Sequence, residues 1–232
     1  MTFDLAAVHT RGFATIEHAV DDDVVREMRD RLWALLGEQG IAEADATSWP
    51  RGPVANLRAV RRDDRRPTDA PAVRAAVENL FGAVEWKRPT SWGQALVAFP
   101  EPGPWSVPRS GWHCDYPFWF APDEIWGVVV FLFLDDVESH GGATLAIERS
   151  PELVRRHLAG RADLGTAKPT AVLEELWAEH DVLATHAVVE LTGRAGDAIV
   201  CHPWLLHLAS ANTSDRPRLQ RAARFQRRFG AG

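Results

Sequence analysis

Cysteine is scarce. Cys114 and Cys201 are the only two in 232 residues, too few for the disulfide framework of a secreted domain. Lysine is nearly absent too, with Lys87 and Lys168 alone, so arginine carries almost all the positive charge. No apolar run approaches the ~20 residues needed to span a bilayer. Met1-Thr2-Phe3-Asp4 lacks the basic region and apolar core of a signal peptide. A formal net charge of -6 argues against a phosphate-backbone partner, although arginines cluster locally. Internal repeats and low-complexity tracts are missing. These absences predict a soluble cytoplasmic protein with no nucleic-acid or membrane partner.

What is present suits one domain over residues 1–232. Val24, Val25, Met28, Leu32, Leu35 and Leu36 recur at helical spacing, with Asp21 to Asp23 available as caps and Gly40 as the stop. Thr47 to Pro71 contains the charged run Arg61-Arg62-Asp63-Asp64-Arg65-Arg66 and reads as a long, solvated surface segment. Ala70 to Phe81 predicts a second helix, closed by Gly82. The period then changes. Ser91 to Phe99 alternates, placing Trp92, Gln94, Leu96 and Ala98 on one face of a strand. Further strands are expected over Ser110 to Tyr116, Trp126 to Leu134 (apolar on both faces), Ala143 to Ile147, His186 to Leu191 and Ala198 to Cys201. The last pair, Leu205 to Ala211 and Leu219 to Phe229, is joined by a turn at Asn212 to Pro217. Helices are expected from Ser150-Pro151, as N-cap and N1, through Leu158, and over Pro169 to His180. The order predicts a mainly β fold with flanking helices, a double-stranded β-helix or jelly roll of cupin type. Residues 1–89 would form a mainly helical buttress and loop, and 90–229 the jelly-roll core, with a helical insertion at about 150–181.

Within that frame, Gly111-Trp112-His113-Cys114-Asp115-Tyr116-Pro117 places an imidazole and a carboxylate two positions apart. On an extended strand both face one way and Cys114 the other. They are two members of a 2-His-1-carboxylate triad, which holds Fe(II) on one face and leaves the others open. His202 and His207 compete to be the third. If the turn after His207 reverses the chain, Arg218 sits opposite about Ala211, roughly 13 Å along the strand from His207. A five-carbon diacid held by a metal at one end spans about that length with the arginine arm, and a guanidinium fork meets a carboxylate with two parallel hydrogen bonds. Pairing His202 with Arg216 is the alternative.

The pattern His113-x-Asp115, Gly141-Gly142-Ala143-Thr144-Leu145, Gly196-Asp197 and His207-(x4)-Asn212-(x5)-Arg218 resembles the phytanoyl-CoA dioxygenase-type Fe(II)/2-oxoglutarate oxygenases over roughly residues 90 to 229. The resemblance implies that His113, Asp115 and His207 bind iron and that Arg218 binds the distal carboxylate of 2-oxoglutarate. It further implies that O2 is consumed, succinate and CO2 are released, and a small organic metabolite is hydroxylated. The carboxylate at 115 fits an oxygenase, since related halogenases carry a small residue there. Two positions depart from the family. Arg149-Ser150-Pro151 stands where Gly-Ser-His is common, and Ala209 replaces a serine that helps to hold the cosubstrate. Gln94 and Thr144 are the candidates for that second anchor.

Phe118 and Trp119, in a loop from Pro117 to Pro122, are candidates to line the substrate pocket. Trp105, Trp112 and Trp126 are expected in the core, and Cys114 and Cys201 in packing. His9, His18, His140, His157, His180 and His186 are expected at the surface or as satisfied polar groups. Arg221, Arg224, Arg227 and Arg228 are expected on the solvent side of the last strand. Two other functions remain in view: a cupin-type dioxygenase or isomerase that does not use 2-oxoglutarate, for which Arg218 has no clear purpose, and a non-catalytic binding module. Fold alone does not separate them.

Overall fold

A strand of valine and phenylalanine without polar interruption needs apolar cover on both faces. In the computed structural model, β5 (Gly127–Phe133) is buried at every position. The structure describes residues 3–53, 65–115, 125–163, 166 and 168–228. The order of elements is α1 (Leu5–Thr10), β1 (Phe13–Ile16), α2 (Asp22–Gly37), β2 (Gly52–Pro53), α3 (Pro71–Phe81), β3 (Trp86–Lys87), β4 (Gln94–Phe99), β5, β6 (Thr144–Ile147), α4 (Ser150–Leu158), α5 (Pro169–Glu179), α6 (Val182–Thr185), β7 (Val188–Leu191), β8 (Ala198–Cys201), β9 (His207–Ala209) and β10 (Arg218–Arg227).

Seven strands form one antiparallel sheet in the order β1-β8-β5-β10-β4-β2, with β3 also on β10. A second sheet runs β7-β6-β9. Helices α2 and α3 cover the outer face of the large sheet, packing Met28, Leu32, Leu36, Val73 and Val77 against Val97, Val130 and Phe225. The inner faces of the two sheets meet through Phe131, Phe133, Ala146, Leu191, Ile199 and Ala222. Behind the small sheet, α4 and α5 pack Val154, Leu158 and Leu176 on Leu145, Ile147 and Leu206. The result is a jelly roll of cupin type with helices on both outer faces.

Several expectations change. Ser110 to Tyr116 is not a strand among the described residues. His113 makes only an isolated bridge with His207, at the end of the three-residue β9 that already pairs with β6. The segment after β9 does not fold back as a hairpin. It crosses from the small sheet to the large one, and Arg218 lies opposite Ala98 of β4, not Ala211. Trp92 does not share a face with Gln94, because Gly93 (φ 70°) lies between them. A side chain at Gly93 would lie 2.4 Å from the Ala222 carbonyl oxygen. Trp92 therefore enters the helix-side core, while Gln94 lies opposite Ala222. Ser150 is the first helical residue and not the cap. Its hydroxyl accepts the Leu206 N–H at 2.8 Å, anchoring the approach to β9. The short α1, β1, β2, β3 and α6 are additions, and part of the charged run, 61–64, lies outside the described residues.

Candidate metal and cosubstrate site

His207 begins β9 and turns inward, its ring 5.9 Å from that of Phe131. His113 is paired to it through both backbone hydrogen bonds, His113 N to His207 O at 3.1 Å and the reverse at 3.0 Å. That pairing brings the two imidazoles to 4.5 Å between ring centres. The Nδ1 of His113 is 3.0 Å from the Gly111 carbonyl oxygen, and the Nδ1 of His207 is 2.9 Å from that of Leu205. A carbonyl only accepts, so each Nδ1 carries the proton and each Nε2 presents a lone pair. Asp115 Oδ2 lies 3.5 Å from His207 Nε2. Ligand atoms of all three residues fall within 4.8 Å of one another. Two imidazoles whose Nδ1 protons are tied to backbone carbonyls and one carboxylate form a donor set suited to Fe(II).

Electrostatics keep these groups in ligand form. Burial, followed by the neighbouring His207, pushes His113 below the ordinary histidine pKa. Burial by itself raises the Asp115 carboxyl, but His207, when its Nε2 is also protonated, and the Arg224 guanidinium outweigh it and hold the group well below the usual carboxylate range. His202 does not join. Its Nδ1 accepts the Trp204 N–H at 3.1 Å, and burial holds it neutral with a pKa of about 3. Cys114 packs on the opposite side with the α4/α5 layer, as alternation about His113 and Asp115 requires.

The second half of the site is β10. Arg218, Gln220, Ala222 and Arg224 alternate onto its inner face, with Leu219, Ala223 and Phe225 on the other, among the residues under α2 and α3. Arg218 is 4 % exposed and donates to Gln220 Oε1 at 2.6 Å. Burial lowers its pKa to about 10, so it stays charged near neutrality. Its Nε and the Gln220 Nε2 are buried donors without an acceptor among the described residues. A buried cation with two such donors and no carboxylate partner among the described residues fits an incoming carboxylate. Ala222 lies opposite Phe131, whose ring adjoins His207. Arg218 is four residues further along the same face, roughly 13 Å away.

Asn212 sets this register. Its Nδ2 donates to the carbonyl oxygens of Ala98 (3.0 Å) and Arg216 (2.7 Å), tying the crossover to β4 just before Arg218. Gly142, at φ 75°, lets that happen, since a side chain there would sit 2.9 Å from the Asn212 Cβ. Thr144 follows on β6, opposite Ala209, between Gly142 and the Ala146 that faces His207. Arg149 adopts the left-handed conformation, φ 62°, that the glycine of Gly-Ser-His takes without strain. Arg216 is turned outward, with 83 % of its side chain exposed. Phe118 and Trp119 lie outside the described residues.

Arg224 keeps the expected solvent exposure, with 47 % of its side chain accessible, yet its terminal nitrogen donates to Asp115 Oδ1 at 2.6 Å. Arg221, expected on the solvent side, is instead buried on the helix side, whereas Arg228 reaches out toward Glu85. Inward and outward positions on β10 depend on which face meets the second sheet, and an Arg-rich strand hides that alternation. A second grouping, His157, Glu179 and His180, also brings ligand atoms within 4.8 Å, with the glutamate and the second histidine exposed.

Comparison with known proteins finds related chains. A curated relative, L-proline trans-4-hydroxylase of Streptomyces griseoviridis, is 27 % identical over 238 residues, 89 % of this chain and 79 % of that protein. The epimerase SnoN from nogalamycin biosynthesis, solved in complex with Fe3+, alpha ketoglutarate and nogalamycin RO, superposes with a TM-score of 0.61 at 21 % identity, over 96 % of this chain and 81 % of that one. EctD from S. alaskensis with bound Fe gives 0.61 at 18 % identity, over 96 % and 75 %. The two structures establish the shared fold. The family model described as Phytanoyl-CoA dioxygenase (PhyH) matches residues 8–219, and the chain therefore belongs to the phytanoyl-CoA dioxygenase family, whose members work with Fe(II), 2-oxoglutarate and O2.

Proposed function

We propose that this protein hydroxylates a small organic metabolite in the cytoplasm, with His113, Asp115 and His207 holding Fe(II) and Arg218 gripping the distal carboxylate of 2-oxoglutarate. Bound there, Fe(II) with 2-oxoglutarate and O2 supplies oxidation of a C–H bond, the cosubstrate leaving as succinate and CO2. The residues do the rest. His113 and His207 offer two Nε2 lone pairs at a spacing fixed by their backbone bridge, and Asp115 supplies the anionic ligand. Arg218, desolvated and charged, orients the keto-diacid along the wall formed by Gln220 and Ala222. Thr144 is placed to bond the cosubstrate where Ala209 lacks a hydroxyl. Gln94 lies opposite Ala222 in register but is exposed, at the open end of that wall. Phe131, Phe133 and Ile199 keep the inner face apolar and exclude water.

The observation that carries this reading is the convergence of three ligand atoms whose imidazole protons are both tied to backbone carbonyls. A cupin-type enzyme without 2-oxoglutarate gives the buried Arg218 nothing to bind. Anaerobic Fe(II) titration with and without 2-oxoglutarate tests the proposal. The expected result is a visible metal-to-ligand charge-transfer band only when both are present. Tight iron binding with no such band would rule 2-oxoglutarate out.

A further inference from the structure

The two carboxylate oxygens of Asp115 have different partners. Oδ2 faces His207 Nε2 at 3.5 Å, while Oδ1 accepts from Arg224 at 2.6 Å. The carboxylate is nearly buried, with 12 % of its side chain exposed, against 47 % for Arg224. Asp115 lies outside any strand, so no sheet fixes its side-chain angle. Arg224 is differently placed. It lies in the ten-residue strand β10 opposite Val129 of β5, between the stretches of β10 that pair with β4 (218–222) and β3 (226–227). A charge-assisted bond from a rigid strand to a coil residue sets the orientation of the coil residue, not the reverse.

We propose that Arg224 is a positioning residue for the metal carboxylate, holding Oδ1 so that Asp115 offers the single oxygen Oδ2 to the metal. This rests on the reading of His113, Asp115 and His207 as the iron ligands. The consequence is one of coordination number. A carboxylate free to turn takes two positions on a metal through both oxygens. One whose second oxygen is bonded elsewhere takes one, leaving three positions for cosubstrate and O2. Arg218 and Arg224 thus divide the inner face of β10 between them. The buried one keeps its donors for a ligand, and the half-exposed one spends its bond on the protein's own carboxylate.

A rival role makes the opposite prediction. If Arg224 merely neutralises Asp115 until a metal displaces it, its removal should tighten metal binding. If it positions Asp115, its removal should weaken binding, because the repulsion between guanidinium and ion is screened by the solvent around the arginine while orientation of the ligand is lost. Partners that orient a metal ligand typically contribute 10- to 100-fold in affinity.

The test is titration of the full-length protein with Co2+, a redox-stable probe with visible d–d bands, in the parent, Arg224→Ala, Arg224→Gln and Arg224→Lys. Circular dichroism and the unfolding transition report folding alongside. We expect Arg224→Ala and Arg224→Gln to weaken Co2+ about tenfold and to weaken the d–d bands as the freed carboxylate takes a second position. Lysine, which keeps the charge and one donor, should recover part of both. Parental affinity and spectrum, or tighter binding, in a folded Ala or Gln variant overturns the proposal. His207→Ala separates this from the underlying reading. If the parent binds no Co2+, or His207→Ala binds it equally well, the ligand assignment fails. If His207→Ala loses the metal but Arg224→Ala does not, only the positioning role fails.

Discussion

Two regions of this molecule bring two histidines and a carboxylate within 4.8 Å of one another: His113, Asp115 and His207, and His157, Glu179 and His180. Residue types and spacing are alike, and a search for metal-ligand clusters does not tell them apart. Their surroundings do. In the first, each Nδ1 is bonded to a backbone carbonyl, the carboxylate has a second partner, and Asp115 and His207 are nearly buried. In the second, His157 Nδ1 faces Glu179 itself at 3.3 Å, its Nε2 is buried without a partner, and the glutamate side chain is 61 % exposed at the end of α5. One set is oriented by groups outside the trio, and the other is occupied with itself. Orientation from outside makes a trio a ligand set.

The largest predicted effect tests that contrast directly. His207→Ala or Asp115→Ala should abolish turnover, a loss of at least about 10³-fold, and remove stoichiometric metal binding. The double change His157→Ala/His180→Ala should leave metal stoichiometry and turnover at parental values. Metal analysis of the purified variants and succinate release decide it, and a lost equivalent of iron in the double variant would merge the two sites in function.

Next comes the other pole of the candidate site. Arg218→Ala should weaken 2-oxoglutarate by about 100-fold, as expected for loss of ~3 kcal/mol of charge-assisted hydrogen bonding, while metal affinity persists. Calorimetry with 2-oxoglutarate on the metal-loaded protein measures this. Equal affinity in mutant and parent would remove Arg218 from the cosubstrate pocket.

A pH experiment sharpens the comparison further. The folded pKa of Asp115 is depressed, so the unfolded chain binds more protons near its carboxyl pKa of about 3.9. The stability contributed by ionised Asp115 is therefore full above about pH 4 and is lost as pH falls below it. Urea unfolding of the metal-free protein should show a difference between parent and Asp115→Asn that is constant from pH 7 to 5 and narrows below pH 4. A difference independent of pH would mean that the Arg224 and His207 contacts do not form in solution. The smallest effect belongs to the second trio. Glu179→Gln should change unfolding stability by no more than about 0.5 kcal/mol, and a larger change in the same denaturation assay would show its pairing to His157 to be structural.

Elements with their own local signal were legible in the sequence. The unbroken apolar run gave β5 within a residue, and Pro151 and Pro169 marked the first turns of α4 and α5. What failed depends on distant chain. β1 is four residues long and pairs with β8, some 185 positions away, so neither length nor alternation announces it. The predicted strand around His113 reduces to one bridge because its partner, β9, is itself three residues long and already paired with β6. In the site, the spacing of His207, Asn212 and Arg218 was readable, but the reason for Asn212 was not. Its hydrogen bonds to Ala98 and Arg216 exist only because the chain changes sheets there. Arg224 stayed hidden for the same reason, since its direction depends on how β10 meets a sheet that sequence does not show.

The reciprocal main-chain bonds between His113 and His207 carry a consequence for how such a centre diversifies. The separation of two of its donors belongs to peptide groups, not to side chains. Replacement at 113 or 207 by any residue but proline therefore exchanges what is offered to an ion without moving the place of offering. A backbone of this kind can trade one donor for another, or for none, and keep its geometry through the trade.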